Sequence, residues 1–255
     1  MTEFITRRRA LEAIGGFGVA ALLAGCASTS DSSESSVSSN PIGTNAGDCD
    51  PIPAETGGPF PGDGTNGPNA RTLGGAVRED IRSSVGGANG SVDGVECRLE
   101  LHVVDASTCA PQPGAAVYAW HCDAVGRYSM YGNGVTDENW LRGIAVADDD
   151  GVARFTTVFP GCYPGRWPHV HFEVFSDVES ATGTANPVAT SQLAFPQAAC
   201  EDVYRDVRYG DSASSLGRLS LETDGVFGDD GGVHQLATLS GSPADEYVAS
   251  LQIAI

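Results

Sequence analysis

Leu99-Glu100-Leu101-His102-Val103 alternates apolar and polar side chains, the period of a strand with one face in a core and the other toward solvent. The turn-forming stretch 111–114 follows it, and the same grammar continues along the chain. Strands are expected over 115–122, 141–147, 152–159, 169–175 and 190–195, with a last one over 247–255. Asp149-Asp150-Gly151 and Pro160-Gly161 supply turns between them. Only 198–208 reads as helix. Many short strands at regular spacing imply an all-β fold, an antiparallel β-sandwich with long loops and little helix.

Composition narrows the function classes. The 255 residues carry 14 basic and 33 acidic side chains, a formal net charge of −19, and every basic residue is arginine. Such a surface excludes nucleic acid as a partner, because phosphate binding requires concentrated positive charge. It equally disfavours docking on anionic headgroups. With 41% hydrophobic residues, 33 glycines and 14 prolines, the chain reads as globular and loop-rich.

The N-terminal part reads as an address. Thr6-Arg7-Arg8-Arg9 precedes a short apolar run, 14–24, which is broken by glycines and too short to span a bilayer. Residues 1–25 are therefore expected to be an export signal of twin-arginine type. Leu23-Ala24-Gly25-Cys26 resembles a lipobox, so the expected membrane link is a lipid on Cys26 and the expected location the cell surface or extracellular space. Eight of the twelve residues from 28 to 39 are serine, so 26–48 should be a flexible tether before a catalytic domain over 49–255. Six cysteines remain beyond Cys26, an even number that suits disulfides in an oxidising compartment. Hairpin proximity favours pairing Cys109 with Cys122, and Cys162 with Cys200.

The chemistry concentrates in Pro160-Gly161-Cys162-Tyr163-Pro164-Gly165-Arg166-Trp167-Pro168-His169-Val170-His171-Phe172. Residues two apart on a strand share a face, so His169 and His171 can present both imidazoles to one point. An isolated pair of this kind is more often structural than metal-binding. No thiolate or carboxylate lies at the close spacing that zinc or ferrous sites use. Tyr163 and Tyr128 are the other donors in reach, and a phenol of ordinary pKa near 10 ligates only a strongly Lewis-acidic ion. Two tyrosines with two histidines therefore favour Fe(III). His121 is read as packing or hydrogen-bonded, and His102 and His234 as structural. Tyr118 and Tyr131 are read as cavity wall or rival donors, and 148–150 as a solvated turn.

In this order the motifs resemble the intradiol ring-cleavage dioxygenase family, specifically its exported single-domain branch. The resemblance runs from about Glu55 to Asp224. It rests on Glu55-Thr56-Gly57-Gly58-Pro59-Phe60, Thr108-Cys109-Ala110-Pro111, Trp120-His121-Cys122-Asp123-Ala124-Val125-Gly126-Arg127-Tyr128-Ser129, Leu141-Arg142-Gly143, the Tyr163–His171 segment and Gln192. It implies a non-haem ferric ion held by Tyr128, Tyr163, His169 and His171, with Arg166 stabilising developing negative charge and Gln192 lining the substrate pocket. It implies as partners a small catechol, cleaved between its hydroxylated carbons to a muconate-type diacid, and O2. In the family's scheme Tyr163 leaves the metal as substrate binds. Cys162 departs from the pattern, where an aromatic residue is usual, so a free thiol there would threaten a ferric centre. Two rival readings stand beside this one: a non-catalytic, surface-tethered β-sandwich binding protein, and a secreted copper or zinc protein using the two histidines. The oligomeric state stays open, a homodimer included.

Overall fold

The computed structural model describes residues 49–255, so the expected export signal and tether lie outside the described residues. Among the described residues, eight strands form two four-stranded sheets. They are β1 (Glu96–Val104), β2 (Ala116–Trp120), β3 (Arg142–Val146), β4 (Val152–Val158), β5 (His169–Phe175), β6 (Ala189–Ala194), β7 (Thr238–Gly241) and β8 (Tyr247–Ala254). The first sheet runs β4-β1-β8-β7 and the second β3-β2-β5-β6. The short helices are α1 (Val178–Thr182), α2 (Gln197–Val203) and α3 (Ser212–Leu216).

The alternation of β1 does what its pattern requires. Cys97, Leu99, Leu101 and Val103 are fully buried, and in register they meet Phe155 and Ala153 of β4 and Ala249, Leu251 and Ile253 of β8. Val117, Ala119, Val170, Phe172 and Val174 close the core from the second sheet. The outward faces of β2 and β5 are buried too, because Phe60, Leu73, Tyr128, Met130 and Tyr163 pack over them. This second cover explains why 169–175 is buried at every position rather than alternating.

Six of the expected strands are present, together with the C-terminal one. The β-sandwich is antiparallel except where β1 pairs with β8 in parallel, a contact between the chain's most separated strands that no local pattern announces. The expected helix over 198–208 divides into α2 and a 3-10 turn at Val207–Tyr209. β7 carries no sequence signature, being a short, largely exposed edge strand without apolar alternation. α1 begins at Asp177, whose side chain accepts a hydrogen bond from the Ser180 N–H at 2.7 Å.

The disulfide pattern corrects the expectation. Cys49 pairs with Cys109, whereas Cys97, Cys122, Cys162 and Cys200 are buried thiols. Cys109 lies in the loop after β1, and the chain from Cys49 runs beside β8, where Ile52 N–H donates to Ala254 O at 3.0 Å. Cys122 instead turns inward, its Sγ 3.4 Å from Gly161 O. Peptide mapping without reductant should therefore link Cys49 to Cys109 and label the four buried thiols only after denaturation. Across a separation of 60 residues, Cys49→Ser should cost about 4 kcal/mol by loop closure, measured as a lower denaturation midpoint.

Candidate metal centre

The period of β5 sends His169 and His171 to the covered outer face of the second sheet. The Nδ1–H of His169 donates to Trp167 O at 2.5 Å, a contact that a carbonyl can only accept, so Nε2 carries the lone pair. That Nε2 sits 3.1 Å from His171 Nε2 and 3.2 Å from Tyr128 Oη. One lone pair cannot accept two hydrogen bonds on the same axis, so hydrogen bonding accounts for only one of these contacts. A cation shared by the three atoms satisfies all of them.

Electrostatics points the same way. Burial lowers His169 to about 3, and burial followed by the neighbouring His169 holds His171 well below its ordinary value, so both rings are neutral donors. Burial likewise raises the Tyr128 phenol, which only a strong Lewis acid would deprotonate here. The His171 ring lies parallel to Trp120, centroids 5.0 Å apart and planes 3° apart, and its Nδ1 is buried without a hydrogen-bond partner. Among the described residues no group of three or more His, Cys, Asp or Glu could hold a metal ion. Tyrosine is thus the oxygen donor this cluster offers, and the donor set fits a ferric ion.

Tyr128 is presented by a turn built on Asp123, whose Oδ1 accepts from the Val125 and Arg127 N–H groups at 3.1 and 2.8 Å. Tyr163 is half-buried, its ring edge-on to Tyr128 at 5.6 Å. Its hydroxyl makes no hydrogen bond with the other three donors. Together Tyr128, Tyr163, His169, His171 and Arg166 line a cavity of about 380 Å³, walled also by Phe60 and Val226.

Arg166 is clamped from two sides. Its Nε donates to Asp224 at 2.9 Å and its Nη2 to Gln192 Oε1 at 2.7 Å, while Gln192 Nε2 donates to Thr56 O at 2.8 Å. Burial would raise the Asp224 carboxyl, but hydrogen bonds from Arg166, Trp167 N–H and Val226 N–H outweigh it and hold it below the usual range. Gln192 is fully buried behind the cavity rather than in its wall, and its place is to orient the arginine.

The remaining candidates separate cleanly. Tyr118 donates to Pro61 O at 2.8 Å, and Tyr131 Oη accepts from Gly62 N–H at 2.9 Å, so neither is a rival donor. His121 is buried with Nδ1 at 2.8 Å from Cys122 O and Nε2 at 2.7 Å from Thr157 Oγ1, away from the cluster. His102 lies in β1 of the other sheet, and Asp148 caps its turn by accepting from Val152 N–H. Burial raises the Cys162 thiol to about 11, so it stays protonated and does not compete as a thiolate. Asp224, Phe60 and Trp120 were not singled out for these roles. The one local signal for Asp224 is its place before Gly225.

Asp224 is fully buried at its side chain and Arg166 is 19% exposed there. Removing one partner of such a pair leaves the other uncompensated. Asp224→Asn should therefore destabilise the protein by about 3 kcal/mol at neutral pH. Because the folded carboxyl is depressed, this contribution is present above pH ~4 and disappears as pH falls through the folded value. Melting curves of both proteins should converge in acid.

A family model described as dioxygenase matches residues 79–197. Over 53 residues the chain is 42% identical to catechol 1,2-dioxygenase of Pseudomonas sp. (strain EST1001), a stretch covering 21% of this chain and 17% of that enzyme. A solved intradiol ring-cleavage dioxygenase from Tetranychus urticae is 27% identical with a TM-score of 0.60, over 71% of this chain and 87% of its own. A second solved dioxygenase, 25% identical, aligns with a TM-score of 0.62 over 81% and 94%. The motifs, the two-sheet architecture and these likenesses agree: the chain is similar to the intradiol ring-cleavage dioxygenases, with residues 79–197 carrying the matched dioxygenase segment.

Proposed function

We propose that this protein is a non-haem iron(III) dioxygenase that opens catecholic rings between the two hydroxylated carbons, using O2 and yielding muconate-type diacids. The observation that carries this reading is the convergence of Tyr128, His169 and His171 at 3.1 to 3.2 Å, with Tyr163 and Arg166 on the same cavity. Tyr128, Tyr163, His169 and His171 would hold the ion, which when bound would supply a Lewis acid toward the catechol oxygens and activate the ring toward O2.

The protein's own groups divide the remaining work. Trp167 O fixes the tautomer of His169, and the parallel Trp120 face fixes the plane of His171. Tyr163, half-buried and without a hydrogen bond to the other donors, is the donor with room to move, and as the tyrosinate that a bound ion would sustain its Oη would be able to take a proton from an incoming catechol hydroxyl and become the neutral phenol. Arg166 holds a fixed positive charge beside the cavity where negative charge develops on the opening ring. Phe60 and Val226 exclude water from the apolar side.

We also propose that the protein is exported and tethered through a lipid on Cys26. The disulfide between Cys49 and Cys109 supports an oxidising location. The presence of all four donors, two tyrosines and two histidines, in one cavity speaks against a purely non-catalytic binding role.

Purified protein loaded with iron should be red-brown from tyrosinate-to-iron charge transfer, and should consume O2 with catechol, hydroxyquinol or protocatechuate. Chelation should remove both colour and uptake, and ferric iron should restore them. Iron-loaded protein inert toward all three would refute the activity. Tyr163→Phe should shift the absorption band and lower turnover about 100-fold; unchanged turnover would remove Tyr163 from the mechanism.

A further inference from the structure

Arg142 is 1% exposed, yet none of its donors reaches a carboxylate among the described residues. Its Nη1 donates to Phe60 O at 2.8 Å and Pro61 O at 2.9 Å. Its Nη2 donates to Ser129 O at 2.9 Å and its Nε to Ser129 Oγ at 3.0 Å. A buried guanidinium satisfied only by neutral acceptors carries a desolvation cost that no opposite charge offsets, so what it contributes is the geometry its five-donor fork enforces. Its acceptors belong to two segments far apart in sequence: the strap that brings Phe60 to the cavity, and the turn that brings Tyr128 to the histidines.

Other contacts converge on the same junction. Tyr118 Oη donates to Pro61 O at 2.8 Å, and the Arg142 guanidinium lies 5.3 Å from the Tyr131 ring centroid. Tyr131 Oη accepts from Gly62 N–H at 2.9 Å and donates to Asn66 Oδ1 at 2.6 Å. Gly62 has a φ of +60°, and a Cβ there would stand 2.8 Å from Arg142 Nη1, so the strap passes where only glycine fits. Met130 and Leu141 both adopt left-handed backbone, at φ 69° and 54°, beside the two ends of the latch. Such conformations persist when the surroundings over-determine them.

We propose that Arg142 is the positioning residue of the metal centre, a latch that couples the substrate wall at Phe60 to the donor Tyr128. Phe60 packs on Tyr128 with centroids 5.0 Å apart, and on Tyr163 at 6.0 Å, so loosening the latch displaces wall and donors together. The proposal rests on the iron-site reading above. It predicts that metal affinity and catechol KM change jointly, although Arg142 touches neither ligand.

The test compares wild type with Arg142→Lys, Arg142→Met and Tyr131→Phe, each loaded with ferric iron. The readouts are iron retention against a chelator, the charge-transfer band per bound iron, KM and kcat for catechol, and melting of the metal-free protein. Arg142→Met should weaken iron retention by about 10- to 100-fold, shift the band and raise KM, with Arg142→Lys giving part of the recovery. Tyr131→Phe, which keeps the ring beneath the guanidinium but removes the strap bonds, should raise KM more than it weakens iron binding. If Arg142→Met does not fold, Arg142→Lys and Tyr131→Phe decide. Variants that lose melting temperature but keep wild-type band, iron retention and KM would overturn the latch and leave a merely structural arginine. A wild-type protein that binds no ferric iron would instead overturn the iron reading, which separates the two failures.

Discussion

The two-residue period of strand β5 is the constraint from which the rest of the molecule follows. One set of its side chains, Val170, Phe172 and Val174, joins the inter-sheet core. The alternate set, His169, His171 and Glu173, faces outward and would meet water if nothing covered it. Burying that polar face required long loops, which explains why a sandwich of eight short strands carries so much irregular chain. Those loops supply what the strand cannot: a phenol from the Asp123 turn, a second tyrosine and an arginine from 163–166, and an aromatic wall from the strap at Phe60.

Much of this was legible in the sequence, and the legible part is the part with local periodicity. Leu99 to Val103 announced β1, and the H-x-H spacing with Tyr163 and Arg166 nearby announced a cluster on one face. The pairing of β1 with β8 was not legible, because parallel contact between distant strands leaves no short-range mark. Nor was the link from Cys49 to Cys109, since spacing along the chain says little about which loops meet. Asp224 and Arg142 illustrate the same limit within the site. Each acts largely through backbone groups, Trp167 N–H for one and the carbonyls of Phe60, Pro61 and Ser129 for the other. Backbone partners carry no residue-type signature, so their positions emerge only when the chain is folded.

The matched dioxygenase segment, 79–197, contains the candidate donors, Arg166 and Gln192, and all strands from β1 to β6. The strap at 56–62 and the Asp224 loop fall outside it. The cavity is thus assembled from both parts of the chain: the four donors, Pro164, Gly165 and Arg166 lie in the matched segment, and Thr56, Phe60 and Val226 come from the segments that flank it.

The parallel stacking of Trp120 on His171 has an optical consequence. An indole held face to face with one of the candidate donors, its N–H buried and unbonded, places an emitter 5.0 Å, ring centre to ring centre, from a side chain of the cluster. A coloured occupant would quench that emission and a colourless one would leave it bright. Against the emission of Trp140 and Trp167, the Trp120 share would then gauge site occupancy under ultraviolet excitation, without substrate, label or turnover.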